Sequence, residues 1–177
     1  MRRLIANILI VVLAGMVLTG CITVDFGSDG FRSVRGNGDL TSQERTVSGI
    51  ERISLQGIGE VEITLGDSES LVIEAEENLL DYLETEVDNG VLELRTRNLI
   101  NLRPTKDIRY IITVTSINGL EVLGSGNITL DRADTTSMRL VIAGSGDINV
   151  DELTAVSLDV TIPGSGEINL SGEVDHQ

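Results

Sequence analysis

The sequence predicts an all-β fold, a parallel β-helix-like solenoid with short repeats, each of which forms one coil. A Gly-Ser-Gly motif occurs at 124–126, at 144–146 and at 164–166, so its spacing is constant. Between these motifs, hydrophobic and polar residues alternate, as in strands that bury one face. Aromatic residues make up only 2% of the chain, so the core must be built from Ile, Leu and Val, which suit stacked strands.

The repeats predict that successive coils stack in register. Ile128, Ile148 and Ile168 occupy one column of the aligned repeats. A fixed period with aliphatic columns is typical of repeats that bury a shared core. An antiparallel sandwich of hairpins also gives alternation, but it does not demand equal spacing. We predict that turns are formed by the glycines of the repeats and of one degenerate N-terminal copy, namely Gly57, Gly59, Gly124, Gly126, Gly144, Gly146, Gly164 and Gly166.

The N-terminal half is less regular, but its sequence also predicts β-structure. Alternation predicts strands at 50–55, 61–65 and 71–75, and residues 78–83 could form one short helical turn. The Asp-Asn-Gly sequence at 88–90 predicts a tight hairpin turn between two further strands.

The segment 1–21 is predicted to be a lipoprotein signal peptide. Two arginines precede an apolar stretch that is short for a membrane span. The stretch ends in Leu18, Thr19, Gly20 and Cys21, which resembles a bacterial lipobox. Signal-peptidase recognition at 18–20 would leave Cys21 as an acylated N-terminus, carrying fatty acids such as palmitate, and two or more acyl chains anchor a protein stably. Residues 22–45 are predicted to be a flexible tether and 46–177 the folded domain.

Composition limits the function classes. The formal charge of −15 argues against nucleic-acid binding, since an acidic surface repels phosphates. One Cys excludes an internal disulfide. His176 is the single His, so catalytic triads that use His and metal sites built from several His ligands are not expected. We therefore expect no enzyme activity and no cofactor. A polysaccharide-active or polysaccharide-binding protein that uses surface carboxylates is the alternative.

Two sharper hypotheses concern the Gly-Ser-Gly motifs. Phosphate binding is disfavoured because each motif precedes a strand rather than a helix N-terminus. The residue after each motif is polar, and Asn127, Asp147 and Glu167 would form one column in stacked coils. Their oxygens could hold Ca²⁺, or they could simply cap solvent-facing turns.

The domain resembles the head GIN domain family, described as heads of auto-transporter adhesins. The resemblance rests on Val47-Ser48-Gly49-Ile50, on Gly57-Ile58-Gly59-Glu60-Val61, on the segment 76–91 and on the repeated Gly-Ser-Gly-x-Ile. It implies a right-handed β-helical domain in the cell envelope, with a role in adhesion or scaffolding. It implies no catalytic residues.

Together these observations predict a membrane-anchored cell-envelope lipoprotein with a non-catalytic domain for adhesion, binding or envelope structure. Ile22 after the lipidated Cys favours the outer membrane if the source is Gram-negative. The expected partners are the membrane, through the lipid, and an envelope protein or a glycan. Self-association through an open C-terminal coil is a further expectation.

Overall fold

A computed structural model describes residues 32–176, so the predicted signal peptide and Cys21 lie outside the described residues. Within this range the chain forms thirteen strands and one 3₁₀ helix. In chain order they are β1 (Arg32–Arg35), β2 (Leu40–Arg45), β3 (Arg52–Leu55), β4 (Glu60–Leu65), β5 (Ser70–Glu76), the 3₁₀ helix (Glu77–Tyr82), β6 (Leu83–Asp88), β7 (Val91–Thr96), β8 (Ile100–Arg103), β9 (Arg109–Val114), β10 (Gly119–Val122), β11 (Asn127–Ile142), β12 (Ile148–Thr161) and β13 (Ile168–His176).

The C-terminal repeats stack in parallel and in register. Ile128 pairs with Ile148, and Ile148 pairs with Ile168. Leu140 likewise pairs with Leu120 on the preceding strand and with Val160 on the following one, at the same spacing in sequence. The ladder predicted from the aliphatic columns is therefore confirmed for residues 119–170.

The prediction that the whole domain is a parallel, right-handed β-helix is wrong. The fold is all-β, but its main sheet of eleven strands is mixed and wraps almost fully around one core. Three strand pairs, β2–β5, β5–β9 and β6–β7, are antiparallel. A second sheet contains only β1 and β8, which pair in parallel.

The order of the stacked strands also departs from a solenoid, because neighbours in space are not neighbours in sequence. Ile53 on β3 lies between Leu92 on β7 and Leu120 on β10. Val61 on β4 lies in the same way between Tyr110 on β9 and the β11 strand. The segment 50–65 is thus sandwiched between two later segments, whereas a solenoid adds its coils in chain order.

Antiparallel strands finish the N-terminal end of the stack. β5 adds to β9, β2 adds to β5, and β6 adds to β7. The 3₁₀ helix joins β5 to β6 and buries Leu79 and Leu80. Residues 32–35 and 40–45, which the sequence places in a tether, are therefore strands paired with the domain.

The predicted hairpin turn is confirmed between β6 and β7. Asn89 and Gly90 both have positive φ values, of 48° and 79°. A two-residue turn with positive φ at both positions matches the right-handed twist of the strands it joins, and Asn-Gly is its preferred sequence.

The core is aliphatic, and Tyr110 is its one fully buried aromatic residue among those described. Burial decreases toward the last coil. Leu140 is fully buried, while its stacking partner Val160 is 44% exposed. Ile168 and Leu170 are only partly buried. Self-association through this end stays a prediction.

Candidate functional site

The turn glycines occupy corners where successive coils approach each other closely. A Cβ on Gly144 would overlap the carbonyl oxygen of Gly124, and a Cβ on Gly146 would overlap that of Gly126. The other Gly-Ser-Gly glycines, Gly124, Gly126, Gly164 and Gly166, meet the preceding corner in the same way. Gly57 and Gly59 supply the carbonyls beneath Gly124 and Gly126, so the degenerate copy lies in the same columns.

The polar residues beside these corners form a hydrogen-bonded column. Asn127 donates from its side-chain amide to Glu60 at 3.1 Å. Its oxygen accepts the backbone N–H of Asp147 at 2.9 Å, and an oxygen of Asp147 accepts that of Glu167 at 2.8 Å. Each side chain thus caps the next turn. No cluster of three or more His, Cys, Asp or Glu side chains suited to a metal occurs among residues 32–176. The capping interpretation is the one that these contacts support.

Glu76 joins three segments at the N-terminal end of the stack, and strand alternation does not predict that it is buried. Its side chain is fully buried. Its carboxylate accepts hydrogen bonds from the backbone N–H of Gly38 at 2.6 Å and from Thr105 Oγ1 at 2.6 Å. The backbone N–H groups of Thr105 and Lys106 also donate to it, at 2.8 and 3.4 Å. Strand alternation alone would have placed Glu76 on the outer face, opposite the buried Ala75.

The electrostatics of Glu76 follow from these contacts. Burial acts to raise the pKa of its carboxyl group, since a charge is costly away from water. The hydrogen bonds from Thr105, Gly38 and Lys106 favour the ionised form and outweigh burial, so the pKa lies below its ordinary value of 4.5. Glu76 therefore remains a carboxylate, and its hydrogen bonds hold β5, the chain at 36–39 and the loop after β8 together.

Ion pairs organise the outer faces of the sheet. Arg109 donates to Glu62 at 2.8 Å and to Glu74 at 2.8 Å, across three neighbouring strands. Arg95 similarly binds Glu84, Glu86 and Glu93. The hydrogen bonds that Arg109 donates to Glu62 and Arg95 donates to Glu84 raise the pKa values of these two arginines. Arg95 and Arg109 are thus neutralised by carboxylates of the same domain.

The cleft between β2 and β6 is the main candidate binding site. It lies at the N-terminal end of the sheet, beside the 3₁₀ helix, and has a volume of about 490 Å³. Gln43 and Arg45 line it from β2, and Leu83 and Thr85 line it from β6. Its remaining lining residues are charged: Asp81, Glu84, Glu86, Arg95 and Arg97.

Arg45 is the unusual residue of this cleft. Its Nη2 donates to the carbonyl oxygen of Leu80 at 3.3 Å, and its Nε is buried without a hydrogen-bond partner. Arg95 and Arg97 each contact a carboxylate, but none lies within salt-bridge distance of Arg45 in the described part of the chain. A half-buried guanidinium without a counter-ion is costly, so this position favours an anion.

A second cavity lies on the outer face of the sheet, beside Gly119. It measures about 80 Å³ and is bordered by Arg52 and Arg139. Ser54, which is buried, donates to Glu121 at 3.1 Å at its edge. Since one water occupies about 30 Å³, the cavity has room for about two or three water molecules. It is too small to be the main binding site.

The predicted lipidation residues Leu18, Thr19, Gly20 and Cys21 lie outside the described residues, so acylation stays a prediction. No helix among residues 32–176 has the length and hydrophobicity needed to cross a bilayer.

Comparison with protein families matches residues 50–177 to the family described as "Putative auto-transporter adhesin, head GIN domain". This chain belongs to the head GIN domain family. The resemblance drawn from the Gly-Ser-Gly repeats and the segment 76–91 is therefore confirmed. A search of curated proteins finds no match to this head GIN chain.

Solved structures share the fold of this head GIN domain. A "putative lipid binding protein" from Parabacteroides distasonis is 26% identical, with a TM-score of 0.74, over 81% of this chain and 63% of that one. A "putative adhesin" from Parabacteroides merdae is 19% identical, with a TM-score of 0.65, over 80% of this chain and 69% of that one. A "putative adhesin" from Bacteroides fragilis is 12% identical, with a TM-score of 0.57, over 77% of this chain and 99% of that one. This chain thus spans less than two thirds of the length of the Parabacteroides distasonis protein.

Proposed function

We propose that this head GIN protein is a non-catalytic binding domain that a lipidated Cys21 anchors in the bacterial cell envelope, where it contributes to adhesion. The match of residues 50–177 to an adhesin-head family carries the proposal. The relatives described as adhesins share its fold. The lipobox-like Leu18–Cys21 sequence supports anchoring, in the outer membrane if the source is Gram-negative.

The geometry of the domain suits binding. Parallel strands with a constant step hold outward side chains in fixed columns, such as Asn149 and Asn169, whose side-chain amides are hydrogen-bonded at 3.1 Å. Rows of this kind form a rigid surface, and a rigid surface loses little conformational entropy on binding.

A polysaccharide ligand is the second candidate, and the polar cleft between β2 and β6 favours it. Hydrolysis is less well supported. Glu62 and Glu74 lie on strands that flank β9, as paired catalytic carboxylates could, but both accept hydrogen bonds from Arg109. Such contacts are typical of structural ion pairs. The name of the Parabacteroides distasonis relative raises lipid binding as an alternative for the same cleft.

The experiment compares the full chain with a Cys21→Ala variant in a non-adherent host bacterium. We expect the full chain to incorporate a palmitate analogue, to fractionate with membranes and to increase cell retention on mucin-coated surfaces severalfold. Cys21→Ala should lose the label and the retention. A Ser28→Ala variant, also in the predicted tether, is the matched control and should behave as the unmodified chain does.

Each part of the proposal has its own contradicting result. Label and membrane association that persist in Cys21→Ala would exclude anchoring through this thiol. Retention equal to that of cells displaying an unrelated domain behind the same leader would exclude adhesion to that surface, whatever the anchoring result.

A further inference from the structure

We propose that the cleft between β2 and β6 binds a sugar acid, with the sugar's carboxylate paired to Arg45. The inference rests on the proposed binding function and names the class of ligand. The cleft's volume of about 490 Å³ is ample for one or two sugar units.

The position of Arg45 selects a carboxylate. Its guanidinium is held by the bond from Nη2 to the Leu80 carbonyl, and it lines the cleft. Its Nε is buried without a partner, so the charge is neither fully hydrated nor neutralised by the protein. A carboxylate in the cleft would accept a charge-assisted hydrogen bond from the part of the guanidinium that lines the cleft, and would offset the cost of burying the charge. Planar guanidinium groups match the geometry of carboxylates well.

The rest of the cleft selects a ligand with one negative charge and many hydroxyls. Asp81, Glu84 and Glu86 border the cleft and would repel a polyanionic peptide. Their oxygens can instead accept hydrogen bonds from sugar hydroxyls. Gln43 and Thr85 add an amide and a hydroxyl that both donate and accept. A uronic acid fits this combination better than an acidic peptide does.

The test measures binding of galacturonate to the detergent-solubilised full chain, by ligand-observed NMR and by the shift of the melting temperature. Galactose is the neutral control, and acetate tests the carboxylate without the ring. We expect galacturonate to bind at least about tenfold more tightly than either control at matched ionic strength. Equal binding of galactose would overturn the role of the carboxylate, and equal binding of acetate would overturn the role of the ring.

Variants connect the binding to the cleft. Arg45→Gln should weaken galacturonate binding at least about tenfold, and Arg45→Lys should restore part of it. Gln43→Glu adds a negative charge at an exposed position on the same cleft wall, so it should weaken binding even if Arg45→Gln fails to fold. Arg132→Gln, at an exposed site on β11 remote in sequence from the cleft strands, is the matched control and should leave binding unchanged.

Unchanged binding in Gln43→Glu and in a folded Arg45→Gln would overturn the proposed site. The outcome is distinct from that of the proposed function. Cells that adhere through a chain that fails to bind galacturonate retain the function and lose this ligand, whereas Arg45-dependent binding without adhesion retains the ligand and loses the function.

Discussion

At the scale of single residues, the carboxylate of Glu76 holds together the segments at the N-terminal end of the stack. It accepts hydrogen bonds from Gly38, Thr105 and Lys106, which are all distant from Glu76 in sequence. The neighbouring Asn78 reinforces the junction, since its side chain accepts from Asn37 N–H at 3.0 Å and donates to the Arg35 carbonyl at 2.8 Å. The strands β1 and β2 are therefore attached to the domain by a few polar contacts as well as by their ladders.

We predict that Glu76→Gln lowers stability at neutral pH and changes its pH dependence. The folded-state pKa of Glu76 lies below 4.5, so ionised Glu76 stabilises the native state above the unfolded pKa. That contribution is lost as the pH falls through the folded pKa. The difference in urea midpoint between the unmodified chain and Glu76→Gln should be large at pH 7 and should shrink below pH 4.5. A difference in urea midpoint that stays constant from pH 7 to pH 3 would contradict this role of the ionised Glu76.

The control for this prediction is the neighbouring residue. Glu77→Gln removes a carboxylate from an exposed position at the start of the 3₁₀ helix. It should leave the urea midpoint nearly unchanged across the same pH range, because exposed carboxylates contribute little.

At the scale of elements, the corners limit how closely the coils can approach. Gly146→Ala would drive a methyl group into the Gly126 carbonyl, so either the corner must shift or the stack must open. We expect the free energy of unfolding to fall by about 2–3 kcal/mol, as for overpacked cores. Urea denaturation of the variant measures it. Ser145→Ala, at the middle position of the same motif, should change it by less than about 0.5 kcal/mol.

The elements also show what the sequence could and could not predict. The β6–β7 hairpin, the 3₁₀ turn and the Ile128–Ile148–Ile168 ladder depend on local turn chemistry or on a repeat, and these signals are visible in the sequence. Alternation is the same in parallel and antiparallel strands, so beyond the β6–β7 hairpin the sequence pattern does not show that β2 and β5 run antiparallel to their neighbours. The sequence likewise predicts that Arg45 belongs to a tether, because its contact with Leu80 depends on how β2 packs at the end of the fold.

At the scale of the whole molecule, stability should depend on position along the stack. Ile148 is fully buried, with Ile128 on one side and Ile168 on the other. Ile148→Ala is expected to lower the free energy of unfolding by about 3–4 kcal/mol, through lost burial and a cavity. Ile168→Ala, in the same column but with β12 as its one neighbouring strand among those described, should cost less than half as much.

Denaturation of both variants by urea checks the gradient. Equal losses for the two substitutions would show that the last coil is buried as deeply as the middle one, contrary to its partial exposure.

The crossed order of the stack has a consequence for how the chain is made. The segment 50–65 leaves the ribosome before any of its parallel neighbours has been made, because β7 and β9 follow it in the chain, and β10 and β11 follow those. Its two backbone edges stay without their full set of ladder partners until β11 has emerged. Completion of the core is therefore delayed until the C-terminal half of the domain has been made, and a nascent chain halted before that point should be a preferred client of chaperones.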